Sequence, residues 1–503
     1  MFKTFKELFS KTQQREHQSL LPDTVQEILH RRNYPWHNWG KTVTCQPALS
    51  FFPETLEHLT QIVQFAQIHR KRIRVAATGH SWSSLIPTDD ILVYIHKLNR
   101  VELDLSDRDR PLVIVQAGAT VKDVNTVLEQ HGYALPLNVV LESVRFGGLV
   151  ATGSHGSGWQ NPTLSDLVHS IEIVTGNSEL RVFETGVDSE TVMSAARMHL
   201  GMFGITYQMK LYIHLSYRVR AVDRRAPLQD TIDNLKTLIL QHENCDLFWW
   251  PFCDQIWIKS WDRTETPITS KPRQCTWDRV AAAVTARLYR ESLRFLKYFP
   301  RFTPWVCNLT FKITPSVRNE VVDLVEAIHY RRSLEVAKMG CVEIGFKVDP
   351  KFENVKRAMK IVFDTTQRYA VQGRYPFNVT MNLRFIGQSH CLLSPGYGDG
   401  HTCFIEILSQ TNREEWCVFS ADVATQWLAL PGALPHWAKE FEHIPNIKTQ
   451  MRKKLSENIQ TFQRIKQELE IDPHSIFINN LLQDIFESEM DTIISPEPAT
   501  LKS

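Results

Sequence analysis

The chain reads as an α+β protein of two lobes, and three features of its order lead there. Strand-like and helix-like segments interleave over residues 43–215. Longer helices set apart from clear strands follow over residues 216–425, the pattern of an antiparallel sheet backed by helices. Residues 426–503 carry a Pro/Trp-rich turn and a basic amphipathic helix. Residues 1–42 form an N-terminal extension. The length of 503 residues fits roughly three domain-sized units or two larger lobes.

The elements follow in chain order. Apolar residues recur at helical spacing from Thr55 to Arg70, ahead of a short strand at Arg74–Ala77 and a small-residue turn, Thr78-Gly79-His80-Ser81. Ile91–Ile95 is a second strand and Pro111–Ala117 a third. Thr120 opens a helix over Val121–Gln130, which Gly132 closes. In the second lobe the periodicity predicts helices over Ser316–Arg332 and Asn354–Tyr369, and strands over Asn378–Phe385 and Thr402–Leu408. A long basic helix is predicted from about Lys448 to Ile471, with a short helix after Pro473.

Composition excludes several classes. Hydrophobic residues make up 43% and charged residues 22%, ordinary for a globular chain. A formal charge of +2 gives no global field for nucleic acid, and none is expected as a partner. The nine cysteines are scattered without a C-x-x-C pair, which reads as free core thiols and no metal ribbon. The start lacks the apolar run of a secretory signal, and no stretch of about 18 apolar residues occurs. Phe2, Phe5 and Phe9 stand at helical spacing among lysines, which fits either a weak interfacial helix or a helix lying on its own protein. The expectation is an intracellular protein, cytoplasmic or peripherally associated with a membrane.

Two glycine-rich segments carry the chemistry. One is Ala77–Ser84, directly after a strand. The other is Gly147–Gly158, reading G-G-L-V-A-T-G-S-H-G-S-G. Small residues let backbone amides converge on an anion such as a diphosphate. Glycine also marks ordinary turns, so one segment alone decides nothing. Neither matches G-x-G-x-x-G or G-x-x-x-x-G-K-[ST], so a dinucleotide held by another fold gains support.

At these residues a resemblance enters. Arg74–Ser84, with its G-H-S centre, resembles the first flavin loop of the vanillyl-alcohol oxidase / p-cresol methylhydroxylase superfamily. Gly147–Gly158 looks like the second flavin segment of its sugar-1,4-lactone and alditol oxidases, and Ala195–Ile205 resembles their strand-entry segment. Leu393-Ser394-Pro395, Pro435-His436-Trp437-Ala438-Lys439 and Asp472–Phe477 are similar to their L-S-P, H-W-x-K and D-P-x-x-x-F motifs. The matches run in family order from about residue 43 to 486. The resemblance implies an FAD-binding lobe at 43–215, a cap over the flavin at 216–425, and a C-terminal segment completing both.

It also implies roles. FAD is the cofactor. His80 stands where these enzymes often bond the flavin 8α-methyl covalently; the alternative is a hydrogen bond within a phosphate loop. Thr78, Gly79, Ser81 and Ser83 are expected at the pyrophosphate. Gly148, Ala151, Thr152, Gly153, His155 and Gly156 are expected beside the flavin and ribityl chain, with His155 as an orienting group. Gly204 and Ile205 are expected on the adenine or pyrophosphate side. Oxidation of a CH–OH group needs a proton acceptor and cations near the flavin edge. Lys439 and Arg384 are the candidates. Without the resemblance both read as solvated surface charges. The strand also carries Asn382, two residues from Arg384 and so on the same face. The resembling enzymes usually carry E-x-R at this strand; here it is Asn382-Leu383-Arg384, which puts the substrate in question. Glu406, on the following strand, is expected to supply the missing carboxylate. No metal site is expected.

The resulting reading is an FAD-dependent oxidoreductase acting on the CH–OH of an aldono-1,4-lactone or alditol. O₂, giving H₂O₂, or another acceptor reoxidises the flavin. The alternatives are an oxidase or dehydrogenase of a non-sugar hydroxylated metabolite, or a paralogue without catalysis.

Overall fold

The computed structural model describes residues 23–269, 287–288, 290–314, 318–329 and 338–487. The stripe at Phe2, Phe5 and Phe9 lies outside them.

Three main sheets organise the described chain. The first has four strands in the order His30–Arg32, Leu49–Phe51, Ile91–Tyr94, Ile73–Ala76. His30–Arg32 pairs antiparallel with Leu49–Phe51, and the other two pairs are parallel. This sheet begins before residue 43. The second has five antiparallel strands in the order Leu180–Glu184, Val168–Val174, Ile205–Tyr212, Leu112–Gln116, Val101–Asp104. Helix Leu56–Ile68 buries Leu59, Ile62, Val63 and Ala66 and packs on the second sheet, and its Phe65 meets Phe51 of the first. Thr55 caps it by accepting from His58 N–H, as the hydroxyl at that position predicts. Helix Val121–Gln130 carries a full capping box between Thr120 and Asp123.

The third sheet has eight strands, all antiparallel: Arg318–Asp323, Arg218–Pro227, Gln255–Arg263, Asn244–Trp249, Thr380–Ile386, Thr402–Ser409, Gly340–Lys347 and Leu434–Pro435. One face packs on helices Glu353–Val371 and Arg413–Trp427, with Trp249 meeting Phe363 and Phe377. The other face turns toward the glycine-rich segments.

Three predicted elements differ. The helix expected over Ser316–Arg332 is a strand, Arg318–Asp323, followed by a short helix, Leu324–Ile328. The run Val321–Val325 has no decisive period, and pairing with Arg218–Asp223 decides for strand. The long basic helix is two, Ile447–Lys454 and Ser456–Glu468. The chain leaves helical geometry at Leu455, whose buried side chain turns both apolar faces onto the core. The second glycine segment opens as helix Phe146–Ala151, because Phe146, Leu149 and Val150 bury one face.

The C-terminal segment ties the lobes together. Trp82 N–H donates to Ala438 O at 2.8 Å, and the Ser83 hydroxyl donates to Trp437 O at 2.5 Å. Buried Trp437 gives its indole N–H to Leu393 O at 2.7 Å. Asp472 accepts from Ile476 and Phe477 N–H, and Phe477 O accepts from the buried Arg74 guanidinium at 2.6 Å. The H-W-x-K, L-S-P and D-P-x-x-x-F motifs are thus the joints of the fold. No helix among the described residues is long and apolar enough to cross a membrane.

Candidate active site

A cavity of 1460 Å³ runs between the glycine-rich segments and the inner face of the eight-stranded sheet. That exceeds the about 300–1,000 Å³ of a usual small-ligand pocket, room for a dinucleotide and a substrate together. Thr78, Gly79, His80, Ser81 and Trp82 form part of one wall, with Gly148, Ala151, Thr152, His155 and Gly156 beside them. Gly79 has φ +76°, a conformation glycine adopts without strain. Residues 79–81 lie in neither helix nor strand, so their amides are not committed to a ladder, whereas Trp82 N–H is taken by Ala438 O. A Cβ on Gly148 would stand 3.2 Å from the Ala77 methyl, so any larger side chain would fill the cleft between the two segments. This cradle of small residues fits a dinucleotide. The His80 ring stacks on Trp39 at 5.3 Å, which orients it along the cavity wall.

Three expected cofactor residues, Ser83, Ile205 and Gly153, do not line the cavity. Ser83 is buried, its hydroxyl engaged by Trp437 O. Ile205 is a fully buried core residue paired with Val174. Gly153, at φ +64°, is a turn against Met198. Gly204 does line the cavity, and its φ of +141° lets it approach Val174 O more closely than a Cβ permits.

The opposite wall is built by strand register. Phe248 pairs with Asn382, Asn382 with Glu406, and Glu406 with Glu343, so these side chains share one row and one face. Arg384 lies two residues along from Asn382. Lys439 reaches the same place from the H-W-x-K turn, its ammonium 4.9 Å from the centre of the Trp82 ring. Glu406 joins them. Its carboxylate accepts from Asn382 Nδ2 at 2.8 Å, from Lys439 Nζ at 2.5 Å and from the Cys341 thiol at 2.9 Å, with Arg384 at 3.6 Å. The carboxylate absent from residue 382 thus stands one strand over.

Sequence reasoning missed Glu343. It is 2% exposed, and its Oε2 lies 3.6 Å from Lys439 Nζ. Its Oε1 lies 3.7 Å from Arg384 and has no hydrogen-bond partner. A single carboxylate inside the apolar run Gly340–Lys347 was the available signal. A second row was missed as well: Arg318, Asp223, Lys259 and Asp246 pair across adjacent strands in alternating charge. One residue beyond the Leu247–Leu383 pair, Asp246 comes opposite Arg384.

Charge states follow from burial and neighbours. Burial alone would raise Glu406, but Lys439 and Arg384 hold it far below the usual carboxylate range. Burial alone would lower Lys439, yet Cys341, Glu406 and Glu343 keep it above its usual range and charged. Burial raises Glu343, and Lys439 only partly offsets that. His155 is lowered to about 3 by burial and by Arg384. It is therefore neutral, stacked on Phe404 at 3.7 Å, with Nδ1–H donating to Gly156 O. His436 is also neutral for the same reason, burial first. His155, Glu343 and His436 offer ligand atoms within 4.8 Å of one another. Arg384 and Lys439 press two positive charges on the same carboxylate, which opposes a metal cation there.

Part of the cavity wall is aromatic. Phe248, Trp250, Trp257 and Trp261 line the cavity, whereas Trp249 packs on the far face and Trp305 is 63% exposed.

Comparison with known proteins bears on this arrangement. Residues 47–184 match the FAD binding domain family, and residues 209–485 match the D-arabinono-1,4-lactone oxidase family. L-gulonolactone oxidase of Scyliorhinus torazame is 27% identical over 465 residues, covering 90% of this chain and 98% of that protein. L-gulono-1,4-lactone dehydrogenase of Mycobacterium tuberculosis is 24% identical, covering 80% and 89%. Among solved structures, a solvent-stable cholesterol oxidase superposes with a TM-score of 0.78 at 16% identity, over 93% of this chain and 100% of the other.

Proposed function

This chain belongs to the D-arabinono-1,4-lactone oxidase family and is an FAD-dependent oxidoreductase, and from that premise we propose that it oxidises a CH–OH group of an aldono-1,4-lactone or alditol. The observation that carries the reading is the joined set Arg384, Lys439, Asn382 and Glu406 on the cavity that both glycine-rich segments line. Thr78, Gly79, Ser81, Gly148, Ala151, Thr152, Gly156 and Gly204 would hold the FAD, with His80 as its covalent anchor. Bound there, FAD supplies the hydride acceptor. O₂, giving H₂O₂, or another acceptor takes the electrons onward.

The chain's own residues do the rest. Charged Lys439 and Arg384 stabilise the negative charge that grows on the substrate oxygen as its proton leaves. Glu406 holds both cations in register. Asn382, its amide given to Glu406, keeps a buried carbonyl without a hydrogen-bond partner, an acceptor for a substrate hydroxyl. Glu343, raised by burial and lining the cavity, is the carboxyl tuned to take the hydroxyl proton. The aromatic wall around Phe248 and Trp257 favours a second reading, a substrate more apolar than a free sugar.

The test is a panel of lactones, alditols and non-sugar alcohols, run with O₂ and with artificial acceptors. Turnover of lactones or alditols is expected. Flavin-replete protein that oxidises only non-sugar alcohols would replace the first reading with the second. Acid precipitation reads the anchor: yellow colour staying with the wild-type pellet and released in His80→Ala is expected, and release from both overturns the covalent link.

A further inference from the structure

One surface departs from the ordinary pattern of polar residues outward. Helical residues 290–298, the turn Pro300–Phe302 and helix Thr303–Ile313 lie at one side of the eight-stranded sheet. Their inner side is a normal core: Leu293, Leu296 and Val306 pack against Val379. Their outer side is apolar too. Phe295, Tyr298, Phe299 and Phe302 recur at i, i+3, i+4 and i+7, 40%, 76%, 47% and 42% exposed, and Trp305 and Leu309 continue the stripe at 63% and 42%. Of the six large aromatic residues exposed among the described ones, five stand here. Phe295, Phe299 and Phe302 touch one another at 5.0–6.4 Å between ring centres, so the patch is contiguous.

The charge of the patch names its occupant. Residues 290–313 carry Arg290, Arg294, Lys297, Arg301 and Lys312 against a single acid, Glu291, which already pairs with Arg294 at 3.0 Å. The whole chain has a net charge of only +2. Exposed aromatic rings among Arg and Lys are the composition of a surface that lies in the headgroup layer of a bilayer, rings at the acyl boundary and cations toward phosphates. A second copy would set the same positive face against itself. We propose that this helical hairpin is a docking surface for an anionic phospholipid bilayer. Arg290, Thr310 and Ile313 also line the catalytic cavity, so the cavity opens beside that surface.

The test is cosedimentation of the full-length flavoprotein with phosphatidylcholine vesicles and with mixed phosphatidylcholine–phosphatidylserine vesicles. Binding to the mixed vesicles, weakened by salt, is expected. The triple variant Phe299→Ser, Phe302→Ser, Trp305→Ser and the charge variant Arg294→Glu, Lys297→Glu, Arg301→Glu should each bind at least tenfold more weakly. Flavin content should stay at the wild-type level, because these side chains are exposed. Hydrogen exchange of the wild type gives a second readout: residues 295–309 should gain protection on vesicles. Wild type binding neither vesicle, both variants binding as wild type, or a dimer in solution that the triple variant dissociates would each overturn the proposal.

Discussion

Glu406→Gln tests whether the charge lattice performs the work assigned to it. In the wild type the carboxylate accepts from Asn382 at 2.8 Å, from Lys439 at 2.5 Å and from Cys341 at 2.9 Å, with Arg384 at 3.6 Å. Glutamine keeps one accepting oxygen. Its NH₂ must face either Asn382 Nδ2 or Lys439 Nζ, and both of those donate. Two contacts to charged groups weaken, each worth at least about 1.5 kcal/mol, or about 3 kcal/mol together. At about 1.4 kcal/mol per tenfold, kcat/KM should fall about 150-fold. The assay is anaerobic rapid mixing, following loss of the oxidised flavin's visible band. A pH profile adds an independent readout. Glu406 helps hold Lys439 above its usual range, so its removal lowers the Lys439 pKa, and the alkaline limb of activity should move to lower pH. Flavin content should be unchanged. Wild-type flavin reduction with an unshifted alkaline limb would refute the reasoning.

Three further perturbations follow from the same geometry. Asp246 is raised by burial more than Arg384, Ser157 and Lys259 lower it, so its ionisation weakens the fold as pH rises from about 4, the unfolded value. Asp246→Asn should remove that slope in a thermal-melting series, and a variant with the wild-type slope would reject the assignment. Gly148→Val places branched carbons into the space beside the Ala77 methyl, 3.2 Å from the Cβ position, and should purify with little flavin; full flavin content would show that the cleft there is not the cofactor's. Arg74 is buried and lowered to about 10, donating to Leu85 O, Leu200 O and Phe477 O. Arg74→Met leaves these carbonyls without that donor and should cost at least about 3 kcal/mol in denaturant unfolding.

Local signals in the sequence were enough for the α+β class, helices Leu56–Ile68 and Val121–Gln130, and the paired strands Thr380–Ile386 and Thr402–Ser409, because caps and alternation are local signals. The strand Arg318–Asp323 was not legible as one. Its apolar residues fit a helical period equally well, and only the partner Arg218–Asp223, about a hundred residues away in sequence, settles the matter. Ser83 and Ile205 looked like cofactor contacts from their neighbours in sequence. Which way a side chain faces is fixed by long-range packing, here Trp437 for Ser83 and the strand Val168–Val174 for Ile205. Glu343 was illegible for a related reason. A carboxylate in an apolar strand signals a buried polar group, but its partner cations stand 41 and 96 residues away in the chain.

The departure at Asn382 shows why a motif and a site are different objects. An E-x-R motif presents a carboxylate and a guanidinium on one strand face. In a sheet, however, the position opposite on the neighbouring strand is about 5 Å away, nearer than the next same-face position along the strand at about 7 Å. A carboxylate at Glu406 therefore reaches Arg384 and Lys439 from across the ladder, and the charge balance of the cavity is kept although the strand itself lost its acid. The exchange alters the surface offered to substrate. Where the motif would present a charged acceptor, Asn382 presents a neutral carbonyl, and Glu406 is engaged by three donors. A substrate hydroxyl meeting a neutral acceptor gains less than one meeting a carboxylate, so this chain should discriminate less sharply among polyols than an E-x-R enzyme. Asn382→Glu makes that testable. It would set a second acid beside Glu406, raise one of the two by mutual repulsion, and slow turnover. Faster turnover of every polyol in the panel would show that the carboxylate belongs on residue 382 after all.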